Sequence, residues 1–347
     1  MQQSNTIIMA VMHIPQDVIM YNILVFNPTH FLCLSKAYNH RALQEIINSN
    51  IFDNNFLLCN YIRHNNIQSV EMLLEHPQIN PSANFNKAME EAIRYRIIGA
   101  VKLLVNHPRF DEKLDIRLAN LENHQENEEL ESTSILSASV ILNAPEVVST
   151  LLSFPNKFDP SEHDCHAMRL AARYNYTDVA RVLFKDKRAL QSIPVDEDNM
   201  YDVFDYSPLW YAANNGNEEL VKLYLSDPRV PEYSLGDVLE RASYVGHENV
   251  IKILLEDNRI EDIGHVGGNC LLKACSNDHT VVIQELLKDK RIDPNYEEGR
   301  VLMMACENGQ IDILQVLLSD PRINIDYVIG YTNYFDRVVV DLLKGKQ

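Results

Sequence analysis

The sequence predicts an all-α fold made by stacking one helix pair many times, and three observations carry that prediction. The stretch Ser207 to Pro228, SPLWYAANNGNEELVKLYLSDP, reads as two short helices around a turn at Asn214–Asn217, and such a pair cannot bury its apolar faces alone. The last apolar residue of its second helix, Leu225, has equivalents at Leu74, Val105, Leu152, Phe184, Leu255, Leu287 and Leu318. The spacings in chain order are 31, 47, 32, 41, 30, 32 and 31 residues, a period near 31 broken by two insertions, which is the signature of a solenoid.

Taken in order, residues 1–28 are expected to form a helical N-terminal segment ahead of a repeat array over 29–347. Thr29-His30-Phe31-Leu32, Leu34-Ser35, Asn39-His40, Ala42-Leu43 and Ile46-Ile47 fit a degenerate first unit. The later second helices read EMLLEHP, VKLLVNHP, VSTLLSFP, LVKLYLSDP, VIKILLEDN, VIQELLKDK and ILQVLLSDP. Pro77, Pro108, Pro155, Pro228 and Pro321 follow where an interior proline would cost a helix roughly 3 kcal/mol. The first helices carry a recurring small pair: Ala92-Ile93, Ala171-Ala172, Ala212-Ala213, Ala242-Ser243, Ala274-Cys275 and Ala305-Cys306. Small residues are needed there because neighbouring helices approach closely, which makes Cys275 and Cys306 core residues. The insertions fall near 110–133 and 191–206, both rich in Asp and Glu, and read as acidic loops. Val338 to Leu343 reads as the second helix of a shortened last unit, and terminal units of solenoids are often atypical.

Composition narrows the partners. At 347 residues and 46% apolar the chain is long enough for such an array, and its formal charge of −18, from 31 Lys plus Arg against 49 Asp plus Glu, argues against nucleic acid and anionic membrane. No stretch approaches the ~20 apolar residues of a membrane helix. The apolar run Thr6–Val11 is short, ends at His13-Ile14-Pro15 and has no Lys or Arg before it, so no secretory signal is expected. Six scattered cysteines without a CxxC pair fit a reducing compartment, cytoplasmic or nuclear.

The repeated unit resembles the ankyrin repeat. The phrase of that family is threonine-proline-leucine-histidine, a small pair, a glycine turn and a Leu-Leu helix. Ser207-Pro208-Leu209-Trp210, Ala212-Ala213, Gly216 and Leu220-Val221-Lys222-Leu223 form its best copy, with Ala242…Gly246-His247-Glu248 and Ala305…Gly309 close behind. The resemblance runs roughly from Thr29 to the C-terminus and implies a right-handed solenoid of about eight to nine helix pairs. Two departures stand out: most units lack the Thr-Pro phrase, and the glycine after the second helix is replaced by sequences such as Asp227-Pro228-Arg229 and Asp289-Lys290-Arg291. The outer loops are therefore expected to differ in shape from the family's hairpins.

The resemblance also implies a function: non-catalytic protein–protein interaction along a concave groove lined by the ends of the first helices. Those positions hold Arg63, His64, Arg94, Tyr95, Arg173, Tyr174, Asn214, Asn215 and Tyr244. A row of Arg and Tyr in so acidic a chain points to a protein partner with an acidic or phosphorylated segment, since Arg and Tyr are common interface anchors.

A second resemblance competes at the N-terminus. Ile14-Pro15, Asp17, Ile23-Leu24 and Phe31-Leu32 are similar to an F-box, which would extend to about residue 40. That family docks on the linker subunit of a cullin-type ubiquitin ligase, so the alternative function is a substrate adaptor of such a ligase. The other reading of the same segment is a helical cap on the first repeat.

Catalytic signatures are absent: no GxxxxGK, no GxGxxG after a strand, no HExxH and no GxSxG. His163-Asp164-Cys165-His166 has no second ligand pair at zinc-site spacing, and the repeat register puts His166 at the position of Ser207, where a first helix starts. No metal and no cofactor are expected.

Overall fold

Helices of 7 to 13 residues follow one another in pairs along most of the chain, each pair closed by a sharp turn. The computed structural model describes residues 54–118, 133–189, 207–228, 234–260 and 263–346. The segment 1–28, its F-box-like residues, the degenerate first unit and most of both insertions lie outside these residues. Eighteen α-helices are present among the described residues, with no strand beyond an isolated antiparallel bridge between Ile116 and Thr133. None of the helices is long and apolar enough to cross a membrane.

The chain divides into two compact units at Phe158/Asp159. Unit 1 contains the pairs α1 (Asn54–Arg63) and α2 (Ile67–Leu74), α3 (Ala83–Arg94) and α4 (Ile98–Asn106), and α5 (Ile135–Ile141) and α6 (Pro145–Leu152). Unit 2 begins with α7 (Glu162–Arg173) and α8 (Thr177–Phe184), α9 (Pro208–Asn214) and α10 (Glu218–Leu225), and α11 (Ser234–Val245) and α12 (Glu248–Leu255). It continues with α13 (Gly264–Ser276) and α14 (Thr280–Lys288), α15 (Tyr296–Glu307) and α16 (Ile311–Ser319), and the short α17 (Asp326–Ile329) with α18 (Arg337–Lys346). Within each unit first helices pack on first helices and second helices on second helices, the layout of an α-solenoid.

The cores follow the periodic pattern. Every small pair is buried, and so is the residue before each period marker, from Leu73 and Leu104 to Leu286 and Leu317. The markers themselves close the second helices, so the period measured in the sequence is that of the helix C-termini. Tyr224 is the exception in polarity among these core residues. Its ring packs edge-on against Phe184, while its buried hydroxyl finds no hydrogen-bond partner among the described residues. An orphaned buried hydroxyl costs about 1–3 kcal/mol, so Tyr224→Phe is expected to raise the urea midpoint of unfolding. A lower midpoint would show that the hydroxyl is bonded.

The inter-helix turns stitch one repeat to the next. Ser207 caps α9 by accepting the Trp210 N–H at 3.0 Å, with Pro208 as first helical residue. Gly216 then turns at φ +68°, where a side chain would be strained, and a Cβ there would stand 2.6 Å from the His247 ring. That ring sits so close because His247 Nε2 donates to the Asn214 carbonyl at 2.9 Å, one repeat back. His279 does the same to the Tyr244 carbonyl at 3.1 Å.

Several first helices open with a left-handed turn that the repeat pattern did not announce. Asn84, Phe85 and Asn86 have φ of 52°, 57° and 53°, and Glu297, Glu298 and Gly299 have 48°, 57° and 78°. His163 and Cys165 are likewise at 50° and 58°. The right-handed helix proper therefore resumes at Lys87, His166 and Arg300, each at the register position of Ser207. Asn86 secures its turn with a buried side-chain amide that donates to the carbonyls of Asp111 and Leu114 at 3.0 and 2.5 Å. Asn tolerates this backbone region better than most residues, and here the amide also ties down the entry to the first insertion.

The missing glycines after the second helices have a physical substitute. Asp257 accepts the backbone N–H and the guanidinium of Arg259, and that guanidinium donates to the Leu225 carbonyl at 2.9 Å, the C-terminus of the preceding second helix. Arg291 repeats the arrangement with Asp289 and the Leu255 carbonyl at 3.0 Å, and Arg322 with Asp320 and the Leu287 carbonyl at 2.8 Å. In unit 1, Arg109 and His107 reach the Leu74 carbonyl at 3.4 and 3.0 Å. The last carbonyls of a helix have no partner inside it, and an αL glycine normally lets the following backbone N–H groups bond them. Here an arginine from the next repeat does so, and two neighbouring repeats become linked at each of these loops.

Candidate functional site

The ends of the first helices are where the expected groove residues lie, and the two units use them differently. In unit 1, Arg63 at the end of α1 forks onto Glu91 of α3 at 2.8 and 2.5 Å, and Arg94 pairs with Glu90 at 2.9 Å. Lys87 pairs with the same two carboxylates at 2.5 and 3.6 Å. Burial would raise the Glu91 carboxyl, yet the Arg63 fork and the charges of Arg63, Lys87 and Arg94 hold it below its ordinary value. The Arg63 guanidinium is held above its own by the same hydrogen bonds. Glu90 and Glu91 are buried, so three cations here neutralise two carboxylates of the protein itself. The sequence row of positive charge is thus largely an internal network joining α1 to α3. His64 is exposed and faces the Asn60 carbonyl at 2.8 Å, while Tyr95 extends into solvent, 49% exposed.

In unit 2, Arg173 is exposed and Tyr174 stacks at a tilt on Tyr176, 5.8 Å between ring centroids. Asn215 turns inward and donates to the carbonyls of Ala172 and Arg173 at 2.9 and 3.1 Å, capping α7 one repeat back. Asn214 is also engaged: its Oδ1 accepts from Arg241 Nε and Nη2 at 2.8 and 2.6 Å. The Arg241 guanidinium lies 4.7 Å from the Trp210 ring and 5.2 Å from the Tyr244 ring. Trp210, Arg241 and Tyr244 thus form one aromatic–cation cluster across α9 and α11, and Tyr244 is 46% exposed.

Trp210 and Arg241 were not among the sequence candidates. Trp210 appeared only as the fourth letter of the repeat phrase, and Arg241 lies one turn before the helix end rather than at it. The legible signal was spacing: Arg241 precedes Tyr244 by three residues on a helix, which puts both on one face. Beside this cluster, Glu240 accepts from Lys273 at 2.5 Å and Asn269 at 3.0 Å.

No group of three or more His, Cys, Asp or Glu residues able to hold a metal occurs among the described residues, and His166 instead faces Arg169 at 3.4 Å. Cys270, Cys275 and Cys306 are buried, and burial pushes each thiol up to about 12, so they are poor nucleophiles.

Residues 239–328 match the family model for ankyrin repeats in three copies, and residues 204–231 match that for a single ankyrin repeat. No curated protein matches the chain.

Proposed function

We propose that the protein is a non-catalytic scaffold that binds a protein partner at the ends of its first helices, since it carries ankyrin repeats and such repeats are generally protein–protein interaction modules and typically non-enzymatic. The observation that carries this reading is the exposure of Tyr95 and Tyr244 at those ends, 49% and 46% respectively, where large aromatic side chains are left facing solvent. Tyrosine brings large apolar area and a hydroxyl at low entropy cost, and it is enriched among residues that dominate interfaces. A reducing compartment, cytoplasmic or nuclear, is part of the same proposal and rests on the buried thiols and scattered cysteines.

The test is affinity capture with mass spectrometry from cells that express the protein, comparing it with the Tyr95→Ala and Tyr244→Ala variants. A hot-spot tyrosine contributes about 2 kcal/mol, a roughly thirtyfold change in affinity, so at least one variant is expected to lose the principal partner. A version lacking Met1–Pro28 is expected to retain it. Equal recovery by both tyrosine variants would place the interface elsewhere.

A further inference from the structure

Arg241 is held as a rigid cation with one donor edge left over. Its Nε and one Nη2 proton are directed at Asn214 Oδ1, and the Asn214 amide is in turn fixed by donating to Asn215 Oδ1 at 3.2 Å. The Trp210 and Tyr244 rings stand beside its carbon at 4.7 and 5.2 Å and limit how it can swing. A guanidinium carries five N–H donors, so the edge formed by Nη1 and the second Nη2 proton remains unbonded among the described residues. That edge has the geometry that accepts two oxygens of a carboxylate or phosphate side by side.

The local charge agrees. No carboxylate among the described residues is within ion-pair distance of Arg241, Asp237 one turn earlier on α11 included, and the adjacent Glu240 is matched by Lys273. In unit 1, by contrast, Arg63 and Arg94 are both satisfied by glutamates of the same unit. An aromatic-flanked cation with no carboxylate partner among the described residues, in a chain of charge −18, is what an acidic partner would find.

We propose that the Trp210–Arg241–Tyr244 cluster is the anchor for an anionic side chain, carboxylate or phosphate, on the partner protein segment. The proposal rests on the interaction reading above and adds the partner's chemistry. Asn214 acts as a positioning residue, holding Arg241 by Nε and one Nη2 proton so that the opposite edge is left for the ligand.

Trp210 is the single tryptophan of the chain and lies against the cation, so its fluorescence reports on the cluster directly. The full chain is titrated with acetylated hexaglutamate, with hexaglutamine at matched ionic strength, and with a peptide of alternating glycine and phosphoserine. A saturable change with hexaglutamate or the phosphopeptide, at least tenfold weaker or absent with hexaglutamine and weakened by salt, is expected. Arg241→Gln should abolish it, and Arg241→Lys should weaken it at least tenfold because an ammonium cannot form the two-oxygen fork. The comparison of charged with neutral peptide on the unaltered protein stands even if a variant fails to fold. Equal response to hexaglutamine, no response to either anionic peptide, or a response that survives in a folded Arg241→Gln protein would overturn the anchor. Each of those results leaves the scaffold reading standing if the Tyr244→Ala variant still loses its captured partner.

Discussion

Replacing Leu254 by aspartate is expected to unfold the middle of unit 2. Leu254 in α12 is fully buried, at the register position of Tyr224 and Leu286. Truncation of a buried leucine already costs about 2–5 kcal/mol, and an unpaired buried carboxylate adds several more. Against a typical stability of about 5–15 kcal/mol for a whole domain, few repeats survive such a change. Because each repeat leans only on its neighbours, the damage should spread first to the adjoining helices α11–α14 of unit 2. Hydrogen exchange read by mass spectrometry is the check. Protection is expected to collapse across α11–α14, to persist in α1–α4, and to fall only partly in the control Leu254→Ala. Unchanged protection in α12 would mean that the helix register is wrong.

Arg322→Ala is expected to cost about 2–4 kcal/mol, much more than an ordinary surface arginine, for reasons visible only in the structure. The guanidinium donates to the Ile292 and Leu287 carbonyls at 2.9 and 2.8 Å and forks onto Asp320, whose carboxylate is largely buried. Removing it orphans two carbonyls and a carboxylate at one loop. Lysine should restore only part of the loss, because a point charge cannot serve three acceptors in a plane. Urea unfolding measures it, and a shift under about 0.5 kcal/mol, the range of an ordinary surface change, would reduce the clamp to a surface decoration.

Two of these clamps, together with the Arg188–Asp186 pair in the loop after α8, predict an acid limit. The hydrogen bonds from Arg188, Arg259 and Arg291 hold the carboxyls of Asp186, Asp257 and Asp289 below their ordinary value in the folded protein. A carboxyl depressed by folding contributes stability that is fully present above its unfolded value and is lost as the pH falls through the folded one. Unit 2 should therefore be insensitive to these groups near pH 7 and weaken below about pH 4. Arg291→Ala should flatten that acid slope.

The stack was legible in the sequence because its physics is local and periodic. Helix length, the buried small pair and the stop after Leu225 all repeat every 31 residues or so, and chain order alone reveals them. The register of His166 with Ser207 held even though a left-handed turn precedes it. Side-chain pairing was harder to see. Arg63 and Arg94 looked like free groove cations because their counter-charges, Glu91 and Glu90, read as ordinary helix residues until burial fixed which way they turn. The Asp-x-Arg loops were visible as a departure from the ankyrin phrase, yet their purpose depends on a carbonyl one repeat away. Arg241 escaped notice for the same reason, since its partners Asn214 and Trp210 lie 27 and 31 residues earlier and meet it only once the repeats are stacked.

The central claim is that a protein partner sits on the ends of the first helices. The most direct measurement places a photo-reactive amino acid at position 244 in one version of the chain and at position 222, on the exposed side of the second helix α10, in another. Cross-linking in cells is followed by identification of the attached protein. A partner captured from position 244 and not from 222 is the predicted result. Capture from 222 alone, or none from 244 while the untreated protein still co-purifies with its partner, would contradict the account.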